Sequence, residues 1–508
     1  SREQQMQQPP PGIRREAPTV PEFDLGADPA SLPETEPAFD IQRIELKGDA
    51  LLDPDDAARL VAPFTGLRLG EHRINLLLRR LTAALIDKGY ITSRAYIGPQ
   101  NLASGVLQVT LVAGRIEAVK LDGSEASGCS LAPLPFRAQD VLRLADLEQG
   151  VDQINRLRSR RAEMQILPGQ SPGGSVVDIR TQVQAPWRVH LGADNAGQKS
   201  TGTIRGRVMV EADNPLGLFD AWNLTHIQSG DSKASLLSVS VPWGYNTLSY
   251  TYTVSDYASP IPGLSAVIAG DSANHSFAIN RVIQRDAVSR TALDAMLTLR
   301  RAQRDVAGIA LTPQDMSVLR LAASRLQRWP GAELSADLGY VRGLRAFGAE
   351  ADVDGLSTPS PHYQFEKLDF NFAATVGLGP HFAWRGSVTG QRAQRGLQSS
   401  EQIFIGGAGT VRGFEEGQLA GDRGVYTRHE LHWTDAAAQT HAIPYLFYDY
   451  GRVRLLADPD WKQLAALGVG VRAAWQGLSA EVNWARPVSA PEAVSRRTRL
   501  HITLDYQF

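Results

Sequence analysis

From Trp187 onward the chain has no helical period and no long apolar run, yet apolar and polar residues keep alternating to the last position. In NTLSYTYTVS, Leu248, Tyr250, Tyr252 and Val254 alternate with Thr247, Ser249, Thr251, Thr253 and Ser255. KLDFNFAATVG sets Leu368, Phe370, Phe372, Ala374 and Val376 against Asp369, Asn371, Ala373 and Thr375. LHITLDYQF puts Leu500, Ile502, Leu504, Tyr506 and Phe508 on one face, and its last strand running to an aromatic residue suggests a sheet that closes on itself. A period of two means strands with unlike faces. A sandwich would alternate in the same way, so length arbitrates. After residue 184 there remain 508 − 184 = 324 residues. A membrane strand of ~10 residues with its share of turns takes ~20, which gives about sixteen strands. That number is even and closes a barrel wide enough for an aqueous lumen. Only a closed barrel satisfies every backbone group in lipid without helices.

Hydropathy agrees once the alternation is taken into account. No run approaches the ~18 to 20 uncharged apolar residues of a spanning helix, and the mean hydropathy is −0.21, but a barrel averages lipid-facing with lumen-facing residues and scores low by construction. Lys+Arg 52 against Asp+Glu 54 leaves a net charge of −2, with no domain-scale basic stripe for nucleic acid. The single cysteine, Cys129, excludes an intramolecular disulfide and a cysteine-based metal site. No charged-then-apolar leader is present at Ser1, so if an export leader existed it is expected to have been removed.

Ahead of the strands the pattern is mixed. Residues 1–37 read as a short helix candidate, REQQMQQ, followed by a Pro-rich, flexible linker. Residues 38–114 read as β-α-α-β-β. A strand carries Ile41, Ile44 and Leu46, and Asp53-Pro54 caps a first helix. The second helix has Ile74, Leu77, Leu78, Leu81, Leu85 and Ile86 at helical spacing with Gly89 as its stop, and the strands SRAYIG and VLQVTLV close the module. Residues 115–184 repeat the order: RIEAVKLDG, a short helix at RAQDVL, a longer helix from Leu144, then AEMQILPG and SVVDIRT. Residues 185–508 form the barrel, with a long late loop at about 391–424.

That loop contains GGAGTVRGFEEG, which has the glycine content of a phosphate cradle. Its glycines run G-x-G-x-x-x-G at Gly407, Gly409 and Gly413, one residue too long, and more loop chemistry follows in place of a helix. GQSPG matches the nucleophile elbow around Ser171, but Pro172 lacks the N–H an oxyanion hole needs. In HELH the histidines at 429 and 432 are three apart on a strand and face opposite sides, so they make no zinc pair. Asp352 and Asp354 in DVDG lack the other ligands of a calcium loop. We expect no catalytic residue, no metal and no cofactor.

Two β-α-α-β-β modules ahead of a barrel with VRGF in a late loop resemble the two-partner secretion transporters of the Omp85 superfamily, the exporters of filamentous haemagglutinin, haemolysin and contact-dependent inhibition toxins. The modules resemble polypeptide-transport-associated (POTRA) domains, and GADNAGQKSTG with DNPLG resembles the family's first barrel hairpin. Val411, Arg412, Gly413 and Phe414 match the VRG-aromatic motif, and Phe447 with Asp449 match the F-x-D strand motif. The resemblance implies that the loop folds into the lumen and that Arg412 pairs with Asp449. An arginine forking onto a carboxylate suits such a latch. It also implies a long N-terminal plug helix, from which the short REQQMQQ departs: either the plug is truncated or the loop does most of the blocking.

The implied function is an outer-membrane pore of a Gram-negative bacterium, its POTRA domains in the periplasm, that exports one large partner exoprotein without ATP. The partner would engage through its N-terminal secretion domain, adding a strand to a module edge at Ala95, Tyr96 and Ile97. Packing of these residues on their own helix is the alternative there. Outer-membrane lipid is the other partner, no nucleic acid is expected, and the state is monomeric. An Omp85-type assembly factor is the alternative function. A passive porin leaves the soluble modules without a task, and an enzyme-bearing barrel has no catalytic constellation.

Overall fold

The computed structural model describes residues 25–34, 36–260, 267–433 and 442–508. REQQMQQ, the helix candidate, lies outside the described residues. The chain divides at Gln184/Ala185 into two compact units, with Gly217–Phe219 counted with the first.

In the first unit, residues 39–112 place strands Arg43–Gly48, Val106–Val112 and Arg94–Tyr96 side by side in that order. Strand Val106–Val112 lies parallel to Arg43–Gly48 and antiparallel to Arg94–Tyr96. Leu107, Val109 and Leu111 alternate inward as a half-buried strand requires. They meet helix Glu71–Asp87, which buries Ile74, Leu76, Leu77, Leu81 and Leu85. Helix Pro54–Val61 is capped by Asp53, whose side chain accepts from the Asp55 N–H at 3.0 Å.

The flexible linker expected up to residue 37 is a docked strap from Leu25 onward. Arg80 donates to the carbonyls of Leu25 and Ala27 at 2.9 and 2.7 Å, and Arg73 to those of Ala30 and Leu32 at 3.2 and 2.9 Å. Composition missed this because the strap is held mainly through its backbone carbonyls, which any sequence supplies. It also explains Leu76, which falls between Arg73 and Arg80 on the strap-facing side of the helix and is fully buried. The helix begins at Gly70, which offers no capping side chain, and the Glu34 carboxylate accepts from the N–H groups of His72 and Arg73 at 3.0 and 3.1 Å instead. An anion there also complements the helix dipole. Glu34→Ala should therefore cost about 1 kcal/mol, as loss of a cap does, read as faster hydrogen exchange at the first turn of this helix and not at its last.

The second module carries strands Arg115–Leu121, Gly174–Val183 and Arg160–Pro168 around helix Leu144–Asn155. The helix expected at RAQDVL is absent. Its backbone pairs with the neighbouring strand: Gln139 N–H donates to Ile116 O at 2.7 Å and Leu142 N–H to Gly114 O at 2.8 Å, with Gln139 at φ 77°. Such pairing leaves no N–H free for an i−4 carbonyl. GQSPG is the turn between Arg160–Pro168 and Gly174–Val183, where Glu117 accepts from Gln170 and Ser171 N–H at 2.9 and 3.1 Å.

The second unit is a closed antiparallel barrel of sixteen long strands, from Trp187–Asp194 to Arg499–Gln507. The first and last strands pair from His190↔Gln507 to Asp194↔Thr503, so the sheet has no free edge. The alternating apolar residues point outward: Leu248, Phe277, Leu321, Leu368 and Leu500 are all exposed on the wall. Trp187, Trp243, Trp329, Phe382, Trp433 and Trp475 are exposed at the strand ends on the side where the chain enters the barrel. This is the aromatic girdle of a membrane interface.

Candidate functional site: the lumenal latch

Barrel strands eleven and twelve, Phe382–Ala393 and Arg423–Trp433, are joined by the long glycine-bearing loop. Its arms form a small hairpin, Ile403–Ile405 against Leu419–Gly421. Its tip turns tightly at Gly406 and Gly407, with φ of 106° and 103°. Thr410 closes the turn by bonding both the N–H and the carbonyl of Gly406, at 2.9 and 3.0 Å.

Arg412, only 1% exposed, is gripped from several sides. Its backbone N–H and Nε reach Asp449 Oδ2 at 3.1 and 2.7 Å, and a terminal N–H reaches Oδ1 at 2.7 Å. The other terminal nitrogen donates to Glu430 Oε1 at 2.7 Å. The guanidinium lies 3.6 Å from the Phe447 ring centroid, a cation–π stack out of bulk water. Strand geometry makes this fit. Phe447 and Tyr445 stand opposite Gly468 and Gly470, where an added Cβ would fall 2.4 and 2.3 Å from their rings. Gly413, at φ 89°, donates to His501 Nε2 at 3.4 Å, which fixes that nitrogen as an acceptor. Val411 and Phe414 are buried with Ile405, Val453, Leu464 and Ala466.

Around this pair lies a network of balanced charge that the sequence reading did not identify. Glu430 also accepts from Arg472 at 3.0 Å, and His432 Nε2 lies 2.9 Å from it. Arg472 continues to Glu481 at 3.2 Å, which Tyr445 O–H meets at 2.6 Å. Arg428 stands 3.6 Å from Glu430 and 3.9 Å from Asp449. Three arginines thus face three carboxylates. The available signal was HELH itself: Arg428, Glu430 and His432 at alternate positions mark a charged inner face of a strand. His429 points the other way and stacks on Trp384 at 5.9 Å.

Higher on the loop, Glu415 pairs with Lys199 and with Arg499 at 2.9 Å. Bonding to Lys199 holds its carboxyl below the ordinary range, whereas burial pushes neighbouring Glu416 up. Asp352, set aside as a calcium ligand, ties two segments of its loop together by accepting from Tyr363 and Gln364 N–H at 2.6 and 3.2 Å.

The module-edge residues fare differently. Tyr96 and Ile97 are 54% and 40% exposed at the edge of their sheet, but Ala95 is 7% exposed and its N–H donates to Thr82 Oγ1 at 3.2 Å. Ala95 is thus corrected from contact to core: the period of the strand turns it toward its own helix.

A family model described as haemolysin secretion/activation protein ShlB/FhaC/HecB matches residues 173–473. The chain belongs to that family. POTRA models, one of the ShlB type, match residues 39–114 and 115–168. The chain is 31% identical over 483 residues to the outer membrane transporter CdiB of Dickeya dadantii, covering 90% of this chain and 84% of that one. It is 30% identical over 469 residues to the hemolysin transporter protein ShlB of Serratia marcescens, covering 89% and 83%. The solved structure of CdiB from Escherichia coli superposes with a TM-score of 0.86 at 28% identity, over 95% and 94% of the two chains. This ShlB-family chain is an outer-membrane translocation pore of two-partner secretion, with its POTRA domains in the periplasm. Relatives that are transporters do not favour the assembly-factor reading.

Proposed function

We propose that this transporter carries one large exoprotein, an adhesin, cytolysin or contact-dependent toxin, and that the loop around Arg412 is the gate it must open. The observation that carries the reading is the manner of closure. A loop inside the lumen is held at its tip by an ion-pair network beside a small apolar cluster, and the charged groups can be taken up again by water or by a passing chain once the tip lifts. The partner docks through its N-terminal secretion domain on the modules, with Tyr96 and Ile97 as edge contacts. It then threads as an extended chain through a single monomeric barrel, and folding outside makes export irreversible. The pore does no covalent chemistry. Deletion of this protein from its host is expected to remove one large protein from the surface or medium and leave other barrels at parental levels. Depletion of many barrels would overturn the reading, and so would an unchanged secreted set in a host that still makes the exoprotein.

A further inference from the structure

A second charged feature lies on the outside of the wall. Arg392, Arg423 and Arg454 stand directly opposite one another across strands eleven to thirteen, and Arg452 is one outward position below Arg454. Their direction follows from their neighbours. Gln391, Glu430 and Asp449 bond the lumenal loop, so positions 392, 423, 452 and 454 face outward by the period of two. Below them on the same face are exposed Leu431, Leu446, Tyr448, Leu467 and Val469. These strands reach their arginine ends at the extracellular rim, because the modules are periplasmic and the first strand leads outward.

Like charges directly opposite in a sheet destabilise it. Among the described residues, no carboxylate forms an ion pair with any of these four arginines. The adjacent Asp422 is buried and committed to the N–H groups of Leu397 and Leu456, at 2.8 and 2.7 Å. Arg454 Nε is buried without a hydrogen-bond partner. Arg452 and Arg454 lie 4.9 and 5.2 Å from the exposed Trp461 ring. Arg423 Nε donates to the Ala393 carbonyl at 2.8 Å, a neutral group that leaves the charge uncompensated. An apolar belt surmounted by arginines without a carboxylate partner and a flat aromatic matches a molecule with acyl chains, phosphates and sugar rings in that order. Guanidinium forks suit phosphate.

We propose that this row, Arg392, Arg423, Arg452 and Arg454 with Trp461, binds the phosphates of an outer-leaflet glycolipid and fixes the barrel's height and orientation in the membrane. The test uses the full-length protein in non-ionic detergent, titrated with bis-phosphorylated lipid A and read by native mass spectrometry. The Arg392→Gln/Arg423→Gln/Arg454→Gln triple variant should bind about a hundredfold more weakly, given a contribution of about 1 kcal/mol per basic residue at a lipid surface. The matching Arg→Lys triple should stay within about threefold of wild type, and lipid A stripped of phosphate should bind wild type no better than the Gln triple binds the intact lipid. Equal binding by wild type and the Gln triple, both in heat-modifiable folded barrels, overturns the proposal. Full displacement by an equal concentration of inorganic phosphate also overturns it, since the site would then take free anion. If the triple does not fold, single Arg423→Gln decides, with an expected loss of about fivefold.

Discussion

Arg412→Ala is expected to give a folded, membrane-inserted barrel that has lost most secretion. The side chain makes three hydrogen bonds to the Asp449 and Glu430 carboxylates and stacks on Phe447, and the backbone N–H makes a fourth to Asp449. Removing it strips Asp449 of its forked partner and leaves the two carboxylates with only the looser Arg428 between them, Glu430 keeping Arg472 as well. Breaking a buried pair from one side costs about 3 to 5 kcal/mol, and lumenal water reduces this. The barrel does not depend on the pair, because its strands are held by backbone bonds from Trp187 round to Gln507. The loss therefore falls on the loop. Three readouts separate the cases: partner protein in the medium, heat-modifiability of the barrel, and single-channel conductance. The expected pattern is lost secretion, an intact barrel and a larger, noisier pore. Arg412→Lys should recover only part of the secretion, since a single ammonium cannot fork onto Asp449 while also reaching Glu430. Normal secretion by correctly inserted Arg412→Ala would sink the gate assignment.

The barrel was readable from sequence because its physics is local: a period of two over 324 residues, from 508 − 184, admits few folds. Arg412 and Asp449 were readable only through motif resemblance, since nothing in the spacing of the two residues says that a loop tip meets that strand. The rest of the latch was hidden in a different way. Glu430 and His432 looked like half a zinc motif, and their actual use depends on Arg472, two strands further round the wall. Gly468 and Gly470 make room for the rings of Phe447 and Tyr445, which only the strand register brings against them. The RAQDVL helix failed for the same reason in reverse, because tertiary pairing to the strand at Arg115–Leu121 outweighed a modest local helical preference.

Glu401→Ala should release the other end of the same loop. The short turn Ser399–Glu401 is fixed to a different sector of the wall from the tip: Glu401 Oε1 meets Arg300 at 3.0 Å and Oε2 meets Lys367 Nζ at 3.1 Å. Arg304 holds Ser399 at 2.8 Å. Lys367 is 8% exposed, so losing the carboxylate leaves this buried cation beside the half-buried Arg300, a cost of up to about 3 to 5 kcal/mol before lumenal water is counted. Part of the stem survives, because Lys367 and Gln391 also bond the Glu401 carbonyl, at 2.7 and 3.0 Å. The expected result is faster hydrogen exchange at Ile403–Ile405 and raised conductance, with exchange at Arg412 little changed. Glu401 and Arg412 share no hydrogen-bond or ion-pair partner, so Glu401→Ala and Arg412→Ala should add within about 0.5 kcal/mol. A large positive coupling would instead mean that the loop opens as one rigid body, and unchanged exchange at Ile405 in Glu401→Ala would mean that the stem is held by its backbone alone.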